Sequence, residues 1–92
     1  MKGRQPPLLE LDDKTRQALE EYRRRHLKPQ QLVLRARIVL LAGEGKTNAQ
    51  IGREMQVTED TARLWRNRWL SFAGIPMEEF SIDERLEDAP RP

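Results

Sequence analysis

The sequence contains no cysteine and a single histidine, His26, and only 5% of its 92 residues are aromatic. Without cysteine there is no disulfide framework, and one histidine cannot form the zinc sites that proteins build from several histidines and cysteines. His26 lies on the apolar stripe of a helical pattern, which favours a packed side chain over a metal ligand. We therefore expect neither a metal nor a cofactor.

Long apolar runs are also missing. No segment reaches the roughly 20 apolar residues that a membrane-spanning helix needs. The opening, MKGRQPPLLELDDK, lacks the apolar run of a signal peptide. We expect a cytoplasmic chain with no membrane partner. With 92 residues, the chain is near the lower limit for a self-sufficient core, so an extensive active-site cavity is not expected.

Acidic residues are outnumbered by basic ones in the first part of the chain. Residues 1–73 carry 15 lysines and arginines against nine acidic residues, whereas residues 74–92 carry two against six. The net charge of +2 therefore conceals a basic body and an acidic tail. Because binding to a polyanion depends on local clusters of cations, this division favours a nucleic acid as the partner.

Helical periodicity is the main pattern that is present. The segment LDDKTRQALEEYRRRHL is amphipathic, with Asp12 as its expected N-cap and Arg23, Arg24 and Arg25 at its end. These arginines could touch phosphate, but they also suit a solvated helix end that complements the helix dipole. Pro29 restarts the chain, and QQLVLRARIVLLA is apolar around almost its whole circumference, which predicts a buried central helix.

Two short helices are predicted next, almost without a linker. Thr47 and Gln50 form a Thr-x-x-Gln capping box at the start of the first. Thr58 is the expected N-cap of the second, which continues to about Ala73. Only residues 56 and 57 separate them, so the two helices must cross steeply, as in a helix-turn-helix.

The predicted fold class is all-α. We expect a small helical bundle with a helix-turn-helix over residues 1–73, including an extra N-terminal helix. A mostly extended acidic tail is expected over residues 74–92, with one short helix around residues 81–86.

The second helix of the pair has two distinct faces when it is drawn as a helical wheel. One is an apolar stripe, expected to anchor the helix in the core: Ala62, Trp65, Trp69 and Phe72. The other is polar: Asp60, Arg63, Asn67 and Ser71.

The polar face suits duplex DNA, because an α-helix fits the major groove. Arg63 can bond a guanine edge and Asn67 an adenine edge, while Arg66 and Arg68 flank them towards phosphates. Glu59 and Asp60 are acidic at the leading end. They either support the helix N-terminus or accept a hydrogen bond from a cytosine amino group. Ordinary solubilising residues remain an alternative reading of this face.

A family resemblance adds to this interpretation. The segment LVLRARIVLLAGEGKTNAQIGREMQVTEDTARLWRNRWL and the ending RLEDAPRP resemble the N-terminal region of bacterial insertion-sequence transposases. The resemblance is to the insertion-sequence six-thirty family of the mariner-like superfamily. It covers the chain from about Leu11 to Pro92. Its most specific elements are RARIVLLA, the Trp-rich second helix and the L-x-D-x-P-R-P ending.

The resemblance implies a homeodomain-like or paired-like DNA-binding unit that recognises the inverted repeats at the ends of the element. It implies core positions at Ile51, Met55, Val57, Ala62 and Trp65. Compared with the family, Gln56 replaces a usual glycine at the turn, and Glu59 and Asp60 replace basic or neutral residues. The candidate DNA-binding residues are therefore Thr47, Asn48, Thr58, Glu59, Asp60, Arg63, Arg66, Asn67 and Arg68.

The family's catalytic half is a ribonuclease-H-like fold with three metal-binding carboxylates, and 92 residues cannot hold it. The resemblance thus implies a chain without enzymatic activity and without catalytic residues, located at the nucleoid. We expect a fragment, the first frame of a split element or a repurposed remnant.

Several functions remain open. The leading one is sequence-specific binding of double-stranded DNA. The chain could also be the recognition subunit of a transposase completed by a separate catalytic chain, or a stand-alone transcriptional regulator. A further alternative is a helical dimerisation module, in which the apolar helix over residues 32–42 buries its surplus face in a homodimer.

Overall fold

The computed structural model describes residues 9–25 and 27–88, and all regular structure within these ranges is helical. The elements are α1 (Asp13–Arg24), α2 (Gln30–Gly43), α3 (Asn48–Met55), α4 (Glu59–Ser71) and α5 (Ile82–Leu86). The all-α prediction is confirmed. His26 and the Pro-Arg-Pro ending lie outside the described residues.

Local capping signals set the helix starts. The Asp12 side chain accepts a hydrogen bond from the amide of Thr15 at 2.8 Å, and Pro29 precedes α2. The predicted capping box of Thr47 and Gln50 is present at α3. A side-chain oxygen that accepts from an otherwise unpaired amide stabilises a helix end by about 1 kcal/mol, so the starts of α1 and α3 are each encoded within four residues.

α2 is the central helix, as its composition predicts. It contacts α1, α3, α4 and α5. Ala36, Ile38 and Val39 are fully buried within it, and its other apolar residues pack against the same core. Because α2 is covered within the chain, its apolar circumference gives no support to a homodimer through this helix.

α3 and α4 form the predicted helix-turn-helix. Gln56 joins them in a left-handed conformation, with φ 60° and ψ 45°. The backbones also approach closely, because a Cβ atom on Gly52 would lie 2.8 Å from the carbonyl oxygen of Val57. The amide of Val57 donates to the carbonyl of Gly52 at 2.9 Å. This backbone contact fixes α4 relative to α3.

The acidic tail folds back onto the bundle. Its helix, α5, matches the one predicted around residues 81–86, and Leu86 is fully buried against the core. Arg85 is also buried, and it donates to the carbonyl oxygens of Ile75 and Phe80 at 2.6 and 2.7 Å. A domain boundary at residue 73 stays a prediction.

Candidate nucleic-acid interface

The buried side of α4 is anchored by the two tryptophans. Trp65 and Trp69 are 4% and 6% exposed, and Ala62 on the same side of α4 is fully buried. The guanidinium of Arg35, from α2, lies 4.1 Å from the centroid of the Trp65 ring. Of the predicted apolar stripe, Ala62, Trp65 and Trp69 are therefore confirmed as core, whereas Phe72, at the C-cap, is only half-buried. Cation–π stacking adds to the burial of Trp65.

The outward side of α4 carries the predicted polar set. Asp60, Arg63, Asn67 and Ser71 are all exposed. The Asp60 carboxylate accepts a hydrogen bond from the Arg63 guanidinium one turn later. Glu59 is exposed beside them, so this surface is close to neutral or acidic at its leading end. Its attraction to phosphate is weak, and its chemistry is that of directional hydrogen bonds.

Thr47 and Thr58 serve first as helix caps. The Thr58 hydroxyl accepts from the amide of Thr61 at 3.0 Å, and the Thr47 hydroxyl accepts from the amide of Gln50 at 3.1 Å. Both side chains are exposed. Asn48 is half-buried at the first position of α3, with its side-chain oxygen covered. The three residues lie at the starts of α3 and α4, where an α-helix leaves its first amides without intrahelical acceptors.

The structure corrects the placement of Arg66. This side chain was predicted to flank the groove-facing surface, but it is only 3% exposed. Its guanidinium donates to the carbonyl of Lys46, immediately before α3, and burial lowers its pKa. Arg66 follows Ala62 by one turn on the inward side of α4. It therefore ties α4 to the start of α3 and does not reach the exposed face.

Arg68 lies at the edge of the interface. Its guanidinium stacks 4.9 Å from the centroid of Trp65 and donates to the carbonyl of Glu87 at 3.4 Å. It is half-buried and directed towards the tail. Within the predicted set, the structure thus brings Glu59, Asp60, Arg63 and Asn67 onto one surface.

The sequence interpretation missed Leu64. This leucine is 49% exposed and lies among the polar residues of the outward face. The spacing contains the signal, because Leu64 follows Asp60 by four residues and precedes Asn67 by three, which places it on their face. We call the surface of Asp60, Arg63, Leu64 and Asn67 the outward face of α4.

No group of three or more histidine or acidic residues within the described ranges could hold a metal ion. None of the described helices is long and apolar enough to cross a membrane.

A family model supplies independent evidence. The model of the homeodomain-like domain matches residues 29–76, which include α2, α3 and α4 and more than half of the chain. No curated protein and no solved structure gives a significant match. Homeodomain-like helix-turn-helix units place their last helix in the major groove of DNA, so the match indicates DNA binding. The chain belongs to the homeodomain-like domain family.

Proposed function

We propose that this chain binds duplex DNA at a preferred sequence, with the outward face of α4 in the major groove. The observation that carries the proposal is the division of α4. Trp65 and Trp69 fix one side in the core, while Arg63 and Asn67 project from the other. Arginine and asparagine are the side chains that pair with guanine and adenine edges in two-point geometry.

The start of α3 supplies a second contact. In its capping box, the amides of Thr47 and Gln50 are paired with side chains. The amides of Asn48 and Ala49 lie between them in the first turn, where an α-helix offers its amides no intrahelical acceptor, and the helix dipole adds partial positive charge there. We propose that these two amides bind a backbone phosphate and so fix the position of α4 along the groove.

We further propose that the chain is the recognition part of a transposase and has no catalytic activity of its own. The resemblance of its α2–α4 segment to insertion-sequence six-thirty transposases supports this role. The target would then be the inverted repeat at an element's ends, and a separate catalytic chain would be a partner. A regulator near a promoter would use the same face on a different site.

Selection of bound duplexes from a random pool at two salt concentrations tests the proposal. We expect an enriched sequence whose preference persists at the higher salt, because base contacts specify and phosphate contacts are screened. Enrichment of the inverted repeats of a transposable element would support the transposase role. A pool that shows no preference at either concentration would contradict sequence-specific binding.

Arg63→Ala gives the matching prediction for a single residue. Affinity for the selected duplex should fall by about 1–3 kcal/mol, with relaxed preference at one base pair. Arg16→Ala is the control, since Arg16 forms the same kind of pair with Asp13 in α1, away from α4. Fluorescence anisotropy with a labelled duplex measures both. Equal losses in the two variants would show that general charge, and not base contact, is responsible.

A further inference from the structure

Leu64 is an unusual residue for its position. It is the one large apolar side chain of α4 that is exposed, at 49%, whereas the other apolar residues of this helix are buried or half-buried. Single exposed leucines are common on protein surfaces. This one, however, belongs to the surface for which we have proposed a ligand.

Leu64 follows Arg63 directly in α4, so helix geometry fixes where the two residues lie relative to each other. Consecutive residues of an α-helix are about 100° apart around its axis and about 1.5 Å apart along it. Arg63 and Leu64 therefore lie on opposite sides of the line that joins Asp60 to Asn67. A helix lying in a groove along that line would direct the two side chains towards neighbouring base positions.

The chemistry of the groove limits what Leu64 can contact. In the major groove, the only apolar group on an unmodified base edge is the 5-methyl group of thymine. Guanine, adenine and cytosine present donors or acceptors there, and covering these with a leucine would leave them unpaired. Leucine against a thymine methyl group, by contrast, removes apolar surface of both partners from water.

We propose that Leu64 is a specificity-determining residue that packs against the methyl group of a thymine beside the base pair contacted by Arg63. The inference rests on the proposed DNA binding and names part of the preferred sequence. Leu64 would then add selectivity without adding charge, which suits an interface whose leading end is acidic.

Uracil scanning tests this contact. Each thymine of the selected duplex is replaced in turn by deoxyuridine, which removes the methyl group and leaves charge and pairing unchanged. For the full chain, we expect one position at which the replacement weakens binding about fourfold, the size of effect expected from one buried methyl group. The Leu64→Ala variant should bind less tightly and should be insensitive at that same position.

Leu27→Ala is the control variant, because Leu27 is 97% exposed in the connection between α1 and α2 and loses the same atoms. It should retain the wild-type response to uracil. Thermal unfolding followed by circular dichroism should show Leu64→Ala as stable as wild type, which separates recognition from folding.

The outcomes distinguish the two proposals. A preferred duplex that lacks thymine, or one that tolerates uracil at every position, would overturn the role of Leu64 and leave DNA binding intact. Equal uracil sensitivity in wild type and Leu64→Ala would overturn it as well. Absence of any preferred duplex would overturn both.

Discussion

At the scale of single residues, the Asp60–Arg63 pair explains an acidic side chain on a surface proposed to enter the major groove of DNA. Arg63 donates to Asp60, and both side chains are exposed. An exposed pair of this kind contributes only about 0.2–1 kcal/mol. That is enough to favour one orientation of the guanidinium without holding it rigidly.

Asp60→Asn should therefore broaden the base preference of Arg63 by about 1.5- to fivefold. Glu59→Gln is the matched control, since it removes the same charge from the same turn without a contact to Arg63. Both variants should bind unrelated duplexes more tightly, because one negative charge is lost. Binding to single-base variants of the selected duplex measures the preference. If Glu59→Gln broadened it equally, the pair would not be the cause.

Gln56 is strained at the turn between α3 and α4. It is the one non-glycine residue with positive φ in the described part of the chain. A side chain in this conformation costs about 1–2 kcal/mol, and glycine avoids that cost while losing about 0.5–1 kcal/mol of chain entropy.

Gln56→Gly should thus raise the free energy of unfolding by about 0.5–1 kcal/mol, measured by urea titration. Gln56→Ala, which keeps the Cβ atom, should give no gain. If Gln56→Ala also raised the free energy of unfolding, the cause would be the contacts of the Gln56 side chain and not its backbone conformation.

The positions of individual side chains also show which contacts can be predicted from the sequence and which cannot. The spacing of Trp65 and Trp69 identifies them as core residues, because an apolar stripe along a helix is stable when it is buried against other elements. Arginine is usually a surface residue, yet Arg66 is buried and its guanidinium donates a hydrogen bond to the carbonyl of Lys46. That partner is 20 residues away along the chain. No local pattern encodes its distance from α4.

At the scale of elements, the sequence predicts where helices begin better than it predicts where they end or which helices they contact. The caps at Asp12, Thr47 and Thr58 lie within three residues of the groups that they satisfy. The end of α4 depends on tertiary packing, and the helix stops at Ser71 instead of the predicted Ala73. The position of α5 against α2 and α4 likewise depends on groups far apart in sequence.

Trp65 is the side chain on which the position of α4 depends most. It is buried, with the guanidinium of Arg35 at 4.1 Å and that of Arg68 at 4.9 Å from its ring centroid. Trp65→Ala should cost about 3–5 kcal/mol of stability, enough to unfold much of a small domain. Thermal unfolding measures it, and Leu27→Ala should change little. An unfolding temperature close to wild type in Trp65→Ala would mean that the two faces of α4 are assigned wrongly.

At the scale of the whole molecule, the tail is held to the bundle by charged side chains. Asp83 accepts hydrogen bonds from the Tyr22 hydroxyl and from the Lys28 ammonium, the latter at 2.9 Å. Arg35 donates to the carbonyl of Leu86 and to the carboxylate of Asp88. Four acidic or basic groups, Asp83, Lys28, Arg35 and Asp88, thus join α5 and the residues after it to α2 and to the connection before it.

These contacts predict that the stability of the fold depends on pH in the acid range. The hydrogen bond from Tyr22, with help from Lys28, lowers the pKa of Asp83 below its ordinary value of 3.8. The ionised form therefore stabilises the folded chain above that pH, and the contribution is lost as the pH falls through the lower folded value. Asp83→Asn should unfold more readily than wild type at neutral pH and lose less stability between about pH 4 and pH 2.

Urea titrations across this pH range measure the difference. Glu78→Gln is the control, since Glu78 is an exposed carboxylate of the same segment. Its pH dependence should follow that of wild type. Parallel curves for Asp83→Asn and wild type would contradict a role for Asp83 in the acid response.

The glycine at position 52 has a consequence for how the sequence of such a protein could evolve. Main chain meets main chain at that point, so the angle between the paired helices does not depend on which side chains point outward. Replacements at positions 63, 64 and 67 can then alter which DNA is preferred while the scaffold stays the same. Even a single added methyl group at position 52 would force the two backbones apart, so we expect diversification to spare that glycine.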